Sequence, residues 1–167
     1  MKDLIVIAGA PGTGKTTISN LLARELNSFV FDFGVLRQIH LDNDWSNWSE
    51  AEEQMAFENL IFILKNYKKH GHKNVILNDL QDFRILQIPD VLSDLNYMIF
   101  SLFVSKDEEL KRRLEEPRDS GYKRIQKAIE WNQALMKRPV VKNEFKIDNT
   151  HNAPKETVAQ LLELLRK

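Results

Sequence analysis

Short apolar runs alternate along this chain with longer amphipathic stretches, the sequence form of repeated strand and helix units around a parallel sheet. LIVIA at 4–8 is unbroken aliphatic, as a strand buried on both faces has to be. FVFDF at 29–33, NVILN at 74–78, YMIFSLFV at 97–104 and EFKID at 144–148 predict four further strands. Between them the spacing becomes helical. From Lys15, the residues Ile18, Leu21, Leu22 and Leu26 fall on one face. Ser49 with Glu52 predicts a capping box opening a helix that carries Ala56, Leu60, Ile63, Leu64 and Tyr67 on one stripe and stops at Gly71. A helix starts near Asp107, and another ends before Arg138 and Pro139. The last begins at Pro154, a favoured first-turn position, and repeats Val158, Leu161, Leu162 and Leu165. No internal repeat, low-complexity tract or linker interrupts the series, so the expectation is one α/β domain over 1–167.

Composition narrows the function classes. At 167 residues and 43% apolar content the chain can bury one sizeable core. Lysine and arginine number 24 against 24 acids, so no net field recommends nucleic acid or an anionic membrane as partner. There are no cysteines, which removes disulfides, cysteine-ligated zinc and thiol catalysis together and fits a reducing compartment. The opening MKDLIVIAGA has too short an apolar run for a secretory signal, and no stretch approaches a membrane span. The expectation is a cytoplasmic protein with a small-molecule partner. The NWS acceptor triplet at 47–49 then carries no meaning. His40, His70, His72 and His151 lack metal-ligand spacing, and the basic helix end around Lys68, Lys69 and Lys73 reads as solvated.

GAPGTGKT, residues 9–16, fits G-x-x-x-x-G-K-[ST] and falls where the chemistry requires it, after a buried strand and before a helix. Glycines let backbone N–H groups turn inward around phosphate oxygens, and the helix start adds its positive dipole end. Gly9, Ala10, Pro11, Gly12, Thr13, Gly14, Lys15, Thr16 and the adjoining Thr17 are therefore the expected nucleotide cradle. Lys15 reaches the outer phosphates and the Thr16 hydroxyl ligates magnesium. A second stretch, FDFGVLR at 31–37, contains the Asp-Phe-Gly triplet of protein kinases. The other parts of that signature, a Val-Ala-Ile-Lys strand, a His-Arg-Asp loop and an Ala-Pro-Glu, are absent, and Asp32 leaves no room before it for them.

Together these motifs resemble the P-loop nucleoside, nucleotide and small-metabolite kinases, a group that includes adenylate, shikimate, gluconate and adenylylsulfate kinases. The resemblance covers essentially the whole chain: GAPGTGKTT at the front, DFGVLR after the second strand, RRLEEPRDSG after the fourth and IDNT before the closing helix. It implies a three-layer α/β sandwich, a five-stranded parallel sheet ordered 2-3-1-4-5 and a mobile lid at about 112–122. It also implies transfer of the γ-phosphate of ATP, with Mg2+, to a nucleoside, nucleotide or small metabolite.

The same resemblance distributes roles. Asp32 matches the first of two aspartates that serve magnesium and the acceptor, while Gly34 stands where the second would be. An alcohol acceptor wants a carboxylate to take its proton, whereas a phosphate acceptor is already an anionic nucleophile, so Gly34 argues against a sugar-type acceptor. Arg37 would then grip an acceptor phosphate by a two-pronged contact; the alternative is a surface arginine on a helix. After the third strand either Asn78 or Asp79 faces the site, or Asp79 caps the next helix or turn. In the lid, Arg118 and Arg113 are the expected catalytic cations, against the alternative of a basic helix C-terminus. Asn149 and Thr150 would neighbour the adenine loop. Trp45 and Trp48 would wall the acceptor, or simply pack. A polynucleotide 5′-kinase and a non-catalytic nucleotide-binding module remain the competing readings.

Overall fold

The computed structural model describes residues 1–116, 122 and 124–166. In chain order the elements are β1 (Leu4–Ala8), α1 (Lys15–Glu25), β2 (Val30–Asp32), α2 (Phe33–Gln38) and α3 (Glu50–Lys69). They continue as β3 (Val75–Asn78), α4 (Asp82–Val91), β4 (Tyr97–Phe103), α5 (Asp107–Glu115), α6 (Ile125–Lys137), β5 (Glu144–Asp148) and α7 (Pro154–Leu165). The five strands form one sheet in the order β2-β3-β1-β4-β5, and every pairing is parallel.

Strand alternation divides the interior into two layers. Leu4, Val6 and Ala8 point to one face of the sheet, where they meet Phe33, Phe57, Leu60, Ile85 and Ile88 from α2, α3 and α4. Ile5 and Ile7 point to the other, against Ile18 and Leu22 of α1 and Val158 and Leu161 of α7. β1 is thus covered on both sides, which is why its sequence has no polar position. A smaller cluster of Val104, Leu110, Leu114 and Ala128 seats α5 and α6. Asn132 of α6 fixes that seat: its side chain accepts from the Val104 N–H at 3.0 Å and donates to the Val104 carbonyl at 2.7 Å.

The local readings hold with three differences, the first being α2, which begins at Phe33 where the strand pattern ran on. Ser49 accepts from the Glu52 N–H at 3.2 Å and opens α3, but Glu52 does not complete the expected capping box and turns elsewhere. α4 was not legible, because Pro89 lies inside it; proline removes one helical N–H and so reads as a breaker. The lid segment is described only at 112–116 and 122, and Arg118 lies outside the described residues. Among the described residues no helix is long and apolar enough to cross a membrane.

Candidate active site

The site gathers at the carboxyl ends of the strands, where open parallel sheets leave room for ligands. β1 runs into the loop 9–14, and α1 starts at Lys15 with Gly14 as N-cap in the left-handed region, φ 97°. A side chain at Gly14 would meet that strain and also come within 2.9 Å of Asn149 Nδ2. No side chain caps α1, so its first N–H groups stay free for an anion. The loop is braced from inside: the Thr13 hydroxyl donates to the Ala10 carbonyl at 2.9 Å, and Lys15 Nζ donates to the same oxygen at 3.0 Å. Thr16 and Thr17 are exposed at the loop's mouth.

Loss of hydration around the Lys15 ammonium pulls its pKa down to about 8, while the carboxylates of Asp79 and Asp32 pull it back up. Those two acids come from neighbouring strand ends. Asp32 closes β2 and caps α2, its Oδ1 accepting from the Gly34 N–H at 2.8 Å. Asp79 follows β3 in a left-handed conformation, φ 63°, and Asn78 stays in the sheet, 3% exposed and with Oδ1 lacking a partner among the described residues. Asp79 does not cap α4, whose N-cap is Gln81. Its carboxylate instead meets Gly34: a Cβ there would lie 2.6 Å from Asp79 Oδ2 and 2.9 Å from Asp32 Oδ1. Gly34 is thus the gap that lets both carboxylates close in on one point.

Arg37 stands one helical turn beyond Phe33, with its guanidinium 5.4 Å from the Phe33 ring centroid. Its Nη2 donates to Asp79 Oδ2 at 2.7 Å. Arg37, Leu41, Trp45, Trp48, Glu52 and Glu53 line one small hollow, so the structure brings the two tryptophans and the arginine together. The tryptophans are 41% and 51% exposed. Glu52, released from capping, is part of this wall. Glu53 is held by Arg84, which is itself buried over the Phe57 ring at 4.1 Å. Asp42 and Asp44 serve the turns of the loop, Asp44 accepting from the Ser46 N–H at 3.1 Å and Asp42 from the Ser46 hydroxyl at 3.2 Å.

The far wall contains what sequence reasoning undervalued. Asn149, 5% exposed, donates to the Thr13 carbonyl at 2.8 Å and accepts from the Thr157 hydroxyl at 2.6 Å, tying the phosphate loop to α7. Arg113 does not extend toward the phosphate loop in this conformation. Its Nη2 donates to the carbonyls of Asn149 at 3.0 Å and Thr150 at 2.7 Å, and its Nε donates to Glu109 at 2.6 Å. Only the short polar pattern IDNT hinted at that junction. Among the described residues no group of three or more His, Asp or Glu side chains forms a metal cluster.

A family described as "AAA domain" matches residues 5–134. No curated protein gives a match. Among solved structures, a sugar kinase from Janibacter sp. HTCC2649 superposes with TM-score 0.71 at 15% identity, covering 98% of this chain and 94% of that one. Shikimate kinase from Bacteroides thetaiotaomicron superposes with TM-score 0.64 at 20% identity, covering 100% of both. Thymidylate kinase from Candida albicans gives TM-score 0.63 at 16% identity, covering 98% and 90%. These likenesses are of fold: the five-stranded parallel sheet in the order 2-3-1-4-5 is theirs as well.

Proposed function

The chain belongs to the AAA-domain family, among the P-loop nucleotide and small-molecule kinases, and from that premise we propose that it transfers the γ-phosphate of ATP to a small acceptor. The observation that carries the reading is the juxtaposition of a complete phosphate loop with two carboxylates and a paired arginine, all at the carboxyl ends of the strands. Phosphoryl transfer asks for little more: charge on the terminal phosphate neutralised, the acceptor aligned, water kept out.

Each requirement has candidates. The free N–H groups at the start of α1 and the backbone between Gly9 and Thr16 receive the phosphates. Lys15, released from the Ala10 carbonyl, places its ammonium on the outer phosphates. Magnesium, when bound, would be held by the Thr16 hydroxyl and supported by Asp32, and would neutralise charge on the β- and γ-oxygens. Arg37, Trp45 and Trp48, which line one hollow, and Asp79, paired with Arg37, receive the acceptor. Arg113 holds the 149–150 carbonyls and so shapes the loop beside the nucleotide base. Arg118 is the candidate for closure over the transferring phosphate.

The test is direct. Wild-type protein bound to MgATP should release ADP in the presence of a pooled small-molecule library and yield a product heavier by one phosphate. Lys15→Ala should lower that turnover at least about 100-fold with the fold retained by circular dichroism. Undiminished turnover in Lys15→Ala would sink the assignment.

A further inference from the structure

The Arg37–Asp79 pair bears on which kind of nucleophile the hollow accepts. A guanidinium meant to hold an incoming phosphate needs open donors and no resident anion. Arg37 already holds a resident anion: Nη2 is on Asp79, the side chain is 16% exposed, one face lies toward Phe33, and Nε is buried without a partner among the described residues. The surrounding charge is acidic. Asp79 and Asp32 converge on Gly34, and Glu52 and Glu53 stand in the wall; Arg37 and Arg84 are paired with acids of this set, and Lys15 is the cation beside Asp79 and Asp32. A dianionic phosphate monoester brought to Arg37 would either displace the Asp79 carboxylate or sit beside it.

Asp79, in contrast, suits a hydroxyl. One of its oxygens is anchored on Arg37, which lines the hollow, while the Asp79 side chain stays 45% exposed. The carboxylate that the sequence seemed to lack at Gly34 is therefore present, delivered from the end of β3 into the space that the missing Cβ leaves open. The exposed rings of Trp45 and Trp48 offer a flat surface in the same hollow.

Resting on the kinase reading above, we infer that the acceptor is a hydroxyl compound with a flat or ring-shaped face, not a phosphate monoester, and that Asp79 takes the hydroxyl proton. In that step the acceptor oxygen bonds to the γ-phosphorus of the nucleoside triphosphate. The bond from that phosphorus to the β–γ bridging oxygen breaks, the diphosphate leaves with the electron pair, and the proton passes to the Asp79 carboxylate.

Two measurements separate this inference from the reading beneath it. MgATP binding to wild type and to Asp79→Asn is first measured by calorimetry; no binding to wild type would refute the kinase itself. Wild type is then given ATP with matched pairs: nucleosides, cyclic polyols and aromatic alcohols beside their phosphate monoesters, with products identified by mass. The expected result is transfer to a hydroxyl compound in preference to its phosphorylated partner. Asp79→Asn should bind ATP as wild type does and keep the acceptor KM near its wild-type value, while kcat falls at least about 100-fold. Asp79→Ala, by freeing Arg37, should gain binding of adenosine monophosphate that wild type lacks. A wild-type preference for any phosphate monoester over its parent alcohol, or wild-type kcat in Asp79→Asn, overturns the inference.

Discussion

At the scale of single residues, Gly34 and Lys15 make separable predictions. Gly34 lies in the first turn of α2, where alanine is intrinsically favoured by about 1 kcal/mol, and the atoms that a Cβ would strike are the ends of two short side chains. Gly34→Ala should therefore displace Asp32 and Asp79 and lower turnover at least about tenfold, with the helix preference for alanine offsetting the weakened Asp32 cap so that the melting temperature changes little. A fall in stability with intact turnover would contradict this account of the position. Lys15 has a free-state pKa of about 8, lowered by loss of hydration. A bound triphosphate favours its charged form, so affinity should be full below about pH 8 and weaken as pH rises through that value, with proton uptake on binding. Calorimetry in buffers of different ionisation enthalpy reads this, and affinity that stays constant from about pH 7 to about pH 9.5 would contradict it. The phosphate loop was legible because its constrained positions sit in one local run. The placement of Asp79 stayed open between the site and a cap, since nothing in VILND reveals that Asp79 takes a left-handed conformation with its carboxylate on Arg37 and beside Gly34.

At the scale of elements, periodicity located every strand and the long helices within a residue or two, because both faces of the sheet are buried and each helix presents one apolar stripe. It missed the six residues of α2, which follow β2 with no intervening turn, and α4, which carries Pro89. What holds α4, α6 and β5 together is also invisible to periodicity. Arg138 donates to both Asp82 and Glu144, and the Glu144 side chain is fully buried. Burial alone would raise the Glu144 pKa, but hydrogen bonds from Arg138, Ser101 and the Val141 N–H hold it below the usual carboxylate range. A carboxylate depressed in the folded state contributes stability that is complete above its unfolded pKa and is lost as pH falls through the folded one. Arg138→Met should strand this buried charge and cost about 3–5 kcal/mol at neutral pH by denaturant unfolding. The deficit should shrink in acid, because without Arg138 burial raises the Glu144 pKa and the variant's carboxyl becomes neutral. An equal deficit at neutral and acid pH would argue for a packing role instead.

At the scale of the whole molecule, the order of strands decides which residues meet, and strand order is a non-local property that the sequence shows only through resemblance to a family. Because β1 lies between β3 and β4, the ends of β2 and β3 supply the acids on one side of the phosphate loop, and the end of β5 supplies Asn149 on the other. Asn149 is a joint between three remote segments. Asn149→Ala leaves the Thr13 carbonyl and the Thr157 hydroxyl without their partner, a cost of about 2–3 kcal/mol, and it should also weaken MgATP binding although helix α7 never reaches the phosphates. Unaltered nucleotide affinity in a folded variant would show that the joint is structural only.

The placement of the indoles gives the molecule an optical reporter of its own. Two of the three tryptophans, Trp45 and Trp48, stand in water at the hollow, whereas the indole nitrogen of Trp131 on α6 is buried. Emission from the exposed pair should lie to the red and yield to iodide, while the third emitter is shielded. Anything that settles into the hollow should therefore shift the spectrum to the blue and protect it from the quencher, so occupancy can be followed in unlabelled protein before a single product has been identified.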